Sequence, residues 1–229
     1  MYPYELFSQY NNAYPYAYSH FQTPWYNSTN FIYPLYWNNF QRNDSISSGI
    51  TTSALELSNK IRGLWEQHTV WTRATIVSMV FDLPDVNFVT NRLLQNPEDF
   101  GNAFRVYYGD KIGSKLRDLI KEHLVIAAQL VKAAKAGDTK AEAEIEKRWY
   151  ANGDEIAAFL ASINPYWSEE AWKMMYRTHL GLVKSEAVNL LTKNYSAEAS
   201  VYDELERQAL EMADMMTQGI INQFARDFI

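Results

Sequence analysis

Apolar residues recur at three- and four-residue steps through most of the chain, which is the pattern of α-helices that bury one face. The longest such stretch runs from Ser53 to Phe81. Ser53 followed by Glu56 has the spacing of a capping box, and Asp82-Leu83-Pro84 ends the pattern because a residue before proline disfavours helical backbone. We predict a long core helix whose buried face contains Leu57, Ile61, Leu64, Trp65, His68, Trp71, Thr72, Thr75, Met79 and Val80.

The same periodicity continues in four more segments, at 110–136, 138–163, 168–192 and from Ser196 towards the C-terminus. Two shorter helices are predicted between the first two long ones, at 84–96 and 97–108, where they form a crossover with Asn96 as the cap of the second. No segment alternates with the period of a strand. We therefore predict an all-α fold, an antiparallel bundle of four to five long helices with two short crossover helices.

The first 46 residues differ in composition from the predicted bundle domain at 47–229. Fifteen of the first 40 residues are aromatic, four are proline, and only Glu5 is charged. Proline disfavours a long helix, so we predict an extended N-terminal arm. Tyrosine and tryptophan bury large areas and keep a polar tip, which suits an arm that docks on a neighbouring subunit. The predicted assembly residues are Tyr2, Tyr4, Tyr10, Tyr14, Tyr16, Tyr18, Trp25, Tyr26, Tyr33, Tyr36 and Trp37.

Composition excludes several classes of protein. The chain has no cysteine, which rules out disulfides, zinc–thiolate sites and cysteine nucleophiles. A net charge of -6 argues against a general nucleic-acid binder. No apolar run approaches the roughly 20 residues that cross a bilayer, and the N-terminus lacks the pattern of a signal peptide. Both a cytoplasmic location and deposition on a spore or cell surface by another route remain open.

Candidate chemistry is concentrated in three histidines. His68, His123 and His179 each fall on the apolar face of a different predicted helix. Imidazoles on facing helices can build a transition-metal site inside a bundle, and the neighbouring Glu66, Glu122 and Glu186 could add carboxylates. The alternative is that each histidine is a neutral core residue bonded to a carbonyl.

Known catalytic motifs are absent from the sequence. A di-iron bundle places Glu three residues before His, but those positions hold Trp65, Ile120 and Tyr176, so the chain is ferritin-like in outline only. The nine glycines form no GxGxxG or GxxxxGK run, and no GxSxG is present. These observations favour a non-enzymatic protein.

Four short motifs carry a resemblance to a known family. They are Leu64-Trp65-Glu66-Gln67-His68-Thr69-Val70-Trp71-Thr72-Arg73, Lys121-Glu122-His123-Leu124, Arg148-Trp149-Tyr150-Ala151-Asn152 and Ile163-Asn164-Pro165-Tyr166-Trp167-Ser168. The chain resembles, over residues 55 to 225 approximately, a family of small helical proteins of spore-forming Gram-positive bacteria whose function is uncharacterised. Its members are sometimes labelled acetylglutamate kinase, a label that no phosphate-binding motif here supports. The resemblance implies a helical bundle and supplies no catalytic residues.

Two functional hypotheses follow. The first is a structural protein that assembles into a filament, coat or surface layer through its aromatic arm, as a homo-oligomer without a cofactor. The second is a bundle that binds a transition metal or a small ligand through His68, His123 and His179. The second hypothesis requires that the three imidazoles meet at one level of the bundle, whereas the first does not.

Overall fold

The computed structural model describes residues 50–229, so the predicted arm at 1–46 lies outside the described residues. This part contains no strand, and the predicted all-α bundle of long helices is confirmed. The helices are α1 (Thr52–Val80), α2 (Val86–Leu93), α3 (Asn96–Ala136), α4 (Thr139–Ile163), α5 (Glu169–Leu191) and α6 (Tyr195–Gln223), followed by a 3-10 helix at Ala225–Phe228.

Helix α3 consists of two helical arms joined at Gly109. The backbone of Gly109 has φ 79° and ψ 172°, outside the helical region and in a conformation that residues with a Cβ rarely adopt. The sequence predicts separate helices on the two sides of this residue, at 97–108 and from 110 onwards. The structure joins them end to end, and the first arm packs back on α1 as part of the bundle.

The bundle is built from three helical hairpins. Hairpin 1 pairs α1 with the first arm of α3, hairpin 2 pairs the second arm of α3 with α4, and hairpin 3 pairs α5 with α6. Packing of α4 on α5 joins hairpins 2 and 3, and packing of α1 on α6 closes the ring. The chain therefore returns to its starting helix and encloses a central axis.

The first helices of the three hairpins end in the same way. Each has a residue with left-handed backbone fourteen positions after its histidine, with φ 52° at Asp82, 68° at Gly137 and 59° at Lys193. The next amide then bonds to a carbonyl five residues earlier, as in a Schellman motif. These bonds are Leu83 to Ser78 at 2.9 Å, Asp138 to Ala133 at 3.1 Å and Asn194 to Asn189 at 2.8 Å.

The histidines give the hairpins a common register. His68, His123 and His179 are 55 and 56 residues apart, and seven residues before each lies a fully buried apolar side chain. The bundle thus contains an internal threefold repeat that only a few side chains mark in the sequence. The buried side chains are Ile61, Leu116 and Trp172.

The connection between α4 and α5 is fixed by a close contact with α6. The indole of Trp167 lies where a Cβ on Gly219 would be, so only glycine permits this approach. The Trp167 Nε1–H donates to the carbonyl of Met215 at 3.1 Å. An aromatic side chain thereby anchors hairpin 2 on hairpin 3.

The outer faces of the helices are polar. Lys115 with Glu155, Lys184 with Glu146 and Arg177 with Asp154 form ion pairs at 2.7–3.0 Å between helices. Exposed pairs of this kind contribute little to stability. None of the helices in residues 50–229 combines the length and the apolarity that a bilayer crossing requires.

Candidate functional site

The three histidines meet at the centre of the bundle. His68, His123 and His179 are 5%, 3% and 1% exposed, and all three line one cavity of about 10 Å³. The ring centroids of His68 and His179 are 5.7 Å apart. A cavity of this size holds about one water-sized probe. Its remaining walls come from equivalent positions of the hairpins, namely Trp65, Ile120 and Tyr176, three residues before each histidine, and Phe100 and Ile156 from the second helices.

Each histidine is paired with a side-chain amide from the second helix of its own hairpin. The Nδ1 atom of His68 lies 2.9 Å from Asn96 Oδ1. The same pair recurs in hairpin 2, where His123 Nδ1 lies 2.7 Å from Asn152 Oδ1, and in hairpin 3, where His179 Nδ1 lies 2.9 Å from Gln208 Oε1. We refer to these six side chains as the histidine–amide centre.

The amides fix the proton on each imidazole. Each amide NH₂ donates to the backbone carbonyl four residues before its histidine, and a carbonyl can only accept, so the amide oxygen must face the ring. Nδ1 therefore carries the hydrogen and donates it. The amide donors are Asn96 to Leu64 O at 2.9 Å, Asn152 to Leu119 O at 3.4 Å and Gln208 to Met175 O at 3.1 Å.

Burial keeps the three imidazoles neutral. It lowers the pKa of His68, and it lowers the pKa of His123 and of His179 to about 3, because a charged ring loses its hydration. A neutral imidazole with its hydrogen on Nδ1 has an unprotonated Nε2. Within residues 50–229 no group donates a hydrogen bond to any of the three Nε2 atoms. The centre therefore holds three nitrogen lone pairs without donors.

The carboxylates predicted to assist the histidines lie elsewhere. Glu66 and Glu122 are exposed, because each precedes its histidine on the helix and points away from the axis. Glu186 is buried but belongs to a separate cluster with Arg73. In the described part of the chain, no three His, Cys, Asp or Glu side chains already stand close enough to hold one metal ion.

A second buried polar cluster lies between α1, α5 and α6. Glu186 is fully buried, and neither of its carboxylate oxygens has a hydrogen-bond partner among the described residues. The guanidinium of Arg73 binds both oxygens of Glu198 at 2.7 and 3.0 Å, and its Nε is 3.8 Å from Glu186. Burial raises the pKa of Glu186 to about 8 against the opposing effect of Arg73, so this side chain is protonated at pH 7.

Replacing Glu186 with Gln should stabilise the protein at alkaline pH. Because folding raises the pKa of Glu186 from 4.5 to about 8, its contribution to stability is present below pH 4.5 and is lost as the pH rises through 8. At pH 9 we expect E186Q to exceed the wild type in unfolding free energy by an amount on the order of 4 kcal/mol. Urea unfolding at pH 5 and pH 9 measures this, with the exposed substitution E204Q as control.

Equal urea midpoints for E186Q and the wild type at pH 9 would show that Glu186 is not held in its neutral form. E204Q should match the wild type at both pH values, because Glu204 is exposed.

The amides of the centre were missed by the sequence analysis. Asn96 was predicted as a helix cap, and that assignment is wrong, because it is the first residue of α3 and its side chain is bound to His68. The signal that could have found the amides is their spacing. Asn96, Asn152 and Gln208 are each 56 residues apart, in the same register as the histidines.

Comparison with known proteins supplies no template for the histidine–amide centre. The case for its function therefore rests on tautomer, burial and geometry. No family model, no curated protein and no solved structure matches this chain.

Proposed function

We propose that this protein is a non-enzymatic binding protein that holds a transition-metal ion through the Nε2 atoms of His68, His123 and His179. The observation that carries the proposal is the common state of the three rings. Each donates its Nδ1–H to an amide and turns a neutral imidazole towards one small cavity.

The chemistry of the centre favours a metal over water. Three lone pairs around one cavity require three donors, and a water molecule has only two hydrogens. A transition-metal ion accepts all three lone pairs, and imidazole suits zinc, copper, iron and nickel. Metal-binding histidines usually donate their other ring N–H to a neighbouring oxygen, which is the role that the three amides would have.

Binding requires a small rearrangement. The three rings must approach one another, since they do not yet stand at the separation of ligands on one ion. Charge must also be balanced, because a buried divalent ion among neutral ligands is costly. Tyr176 is the one ionisable group on the cavity wall besides the histidines, and a bound cation would favour its phenolate.

Metal titration of the full chain tests this proposal. We expect one equivalent of Zn²⁺ per chain in isothermal calorimetry and in metal analysis after dialysis. H179Q should reduce the affinity at least tenfold, whereas H20Q, which changes the one histidine outside the centre, should leave it unchanged. Equal affinity in the wild type and H179Q, with both folded by circular dichroism, would refute the proposal.

A second candidate function is self-assembly through the N-terminal arm. It is supported by the composition of the first 40 residues, which include fifteen aromatic residues and a single charge. Tyr and Trp are enriched at protein interfaces, and an arm that reaches a neighbour builds rings or fibres. Negative-stain microscopy should show assemblies of the full chain and dispersed particles after deletion of residues 1–46. Dispersed particles in both samples would exclude this function.

A further inference from the structure

A second cavity of about 40 Å³ lies beside the histidine–amide centre, and we call it the axial chamber. Its walls are formed by the same first helices, one and two turns beyond the histidines. Three wall residues follow a histidine by four positions and three follow it by eight. They are Thr72, Ala127 and Val183, and Ile76, Val131 and Ala187. The repeated register places the axial chamber on the central axis of the bundle.

Small side chains create the space. Where hairpin 1 has Ile76 and hairpin 2 has Val131, hairpin 3 has Ala187. Ala127 likewise stands where the other hairpins carry Thr72 and Val183. The internal repeat would close around larger residues at these positions, so the axial chamber results from two local departures towards alanine.

The wall offers almost no hydrogen bonds. The hydroxyls of Thr72 and Thr75 and the indole N–H of Trp149 each expose less than 1 Å² and have no partner among the described residues. Lys184, also on the wall, is bound to both oxygens of Glu146 at 2.7 Å. A buried water needs two to four polar partners, which this wall does not present. An apolar guest meets no such requirement.

We infer that the axial chamber binds a small apolar molecule of the diatomic-gas class, such as dioxygen. The volume sets the size, since a cavity of about 150 Å³ is needed for benzene and the axial chamber has about a quarter of that. Its place one helical turn from the histidines would bring such a guest next to anything bound there. The inference does not depend on metal binding.

Xenon is the probe for this site. In the full-length protein without added metal, ¹²⁹Xe NMR should show a saturable shift, and the methyl groups of Ala127, Val183 and Ala187 should shift with xenon pressure. A187V fills the axial chamber and should abolish saturation. A199V adds the same two methyl groups at an exposed site on α6 and should keep the wild-type response.

Two results would overturn the inference. One is a xenon response in folded A187V equal to that of the wild type, with A127V from the neighbouring wall as the replacement if A187V does not fold. The other is the absence of selective paramagnetic relaxation of the same three methyl groups under oxygen pressure. Selective relaxation that A187V removes would establish dioxygen as a guest.

Discussion

Lowering the pH from 7 to 4.5 is expected to reduce the free energy of unfolding by about 5 kcal/mol, a large part of the 5–15 kcal/mol typical of a folded domain. The cause is the histidine–amide centre. His68, His123 and His179 are held neutral by burial, whereas each takes up a proton near pH 6.5 when the chain unfolds.

The sign follows from proton uptake. For a histidine whose folded pKa is lowered, stability is fully present above pH 6.5 and is lost as the pH falls towards the folded pKa of about 3. Three such groups give a slope of about 4 kcal/mol per pH unit. Glu186, with its raised pKa, opposes them with about 1.4 kcal/mol per unit between pH 8 and 4.5.

Urea unfolding from pH 7 to pH 4.5 measures the slope. The double variant H123L/N152L removes one histidine with its partner and should reduce the histidine part of the slope by about a third. E186Q should make the wild-type slope steeper in this range. A stability that stays constant between pH 6.5 and 4.5 would mean that the imidazoles are charged or hydrated in the folded protein.

The substitution N152L is expected to cost about 2–3 kcal/mol of unfolding free energy, because it leaves the Nδ1–H of His123 buried without an acceptor. Replacing both partners in H123L/N152L should recover most of that loss, since no polar group then remains unpaired. The single substitution should also weaken Zn²⁺ binding tenfold to a hundredfold, because Asn152 orients the ring.

Chemical unfolding of the wild type, both single variants and the double variant gives the coupling energy between His123 and Asn152. Q218L, at an exposed amide on α6, is the matched control and should change stability by less than about 0.5 kcal/mol. Additive effects of the two single substitutions would show that the pair does not act as a unit.

Helical periodicity sufficed to predict the helices and the inward position of the histidines. His68, His123 and His179 lie at three- and four-residue steps from apolar neighbours, and burial of that face carries them to the axis. The break at Gly109 was also visible, because two periodic segments change phase there. These features depend only on the local pattern.

The pairing of histidines with amides depends on how each hairpin closes. Asn96 has the sequence context of a cap, and only the turn geometry of hairpin 1 brings it to His68. The repeat was hidden because equivalent positions share apolar character without identity, as in Ile61, Leu116 and Trp172. Glu186 reads as a surface residue in the sequence, and packing of α1 and α6 over α5 buries it.

The state of the ring nitrogens tests the central claim most directly. Long-range ¹H–¹⁵N NMR at pH 7 should show the Nδ1–H tautomer for His68, His123 and His179, and one equivalent of Zn²⁺ should shift all three Nε2 resonances together. A hydrogen on Nε2 of any of these rings, or Nε2 resonances that do not respond to the metal, would contradict a three-histidine binding centre.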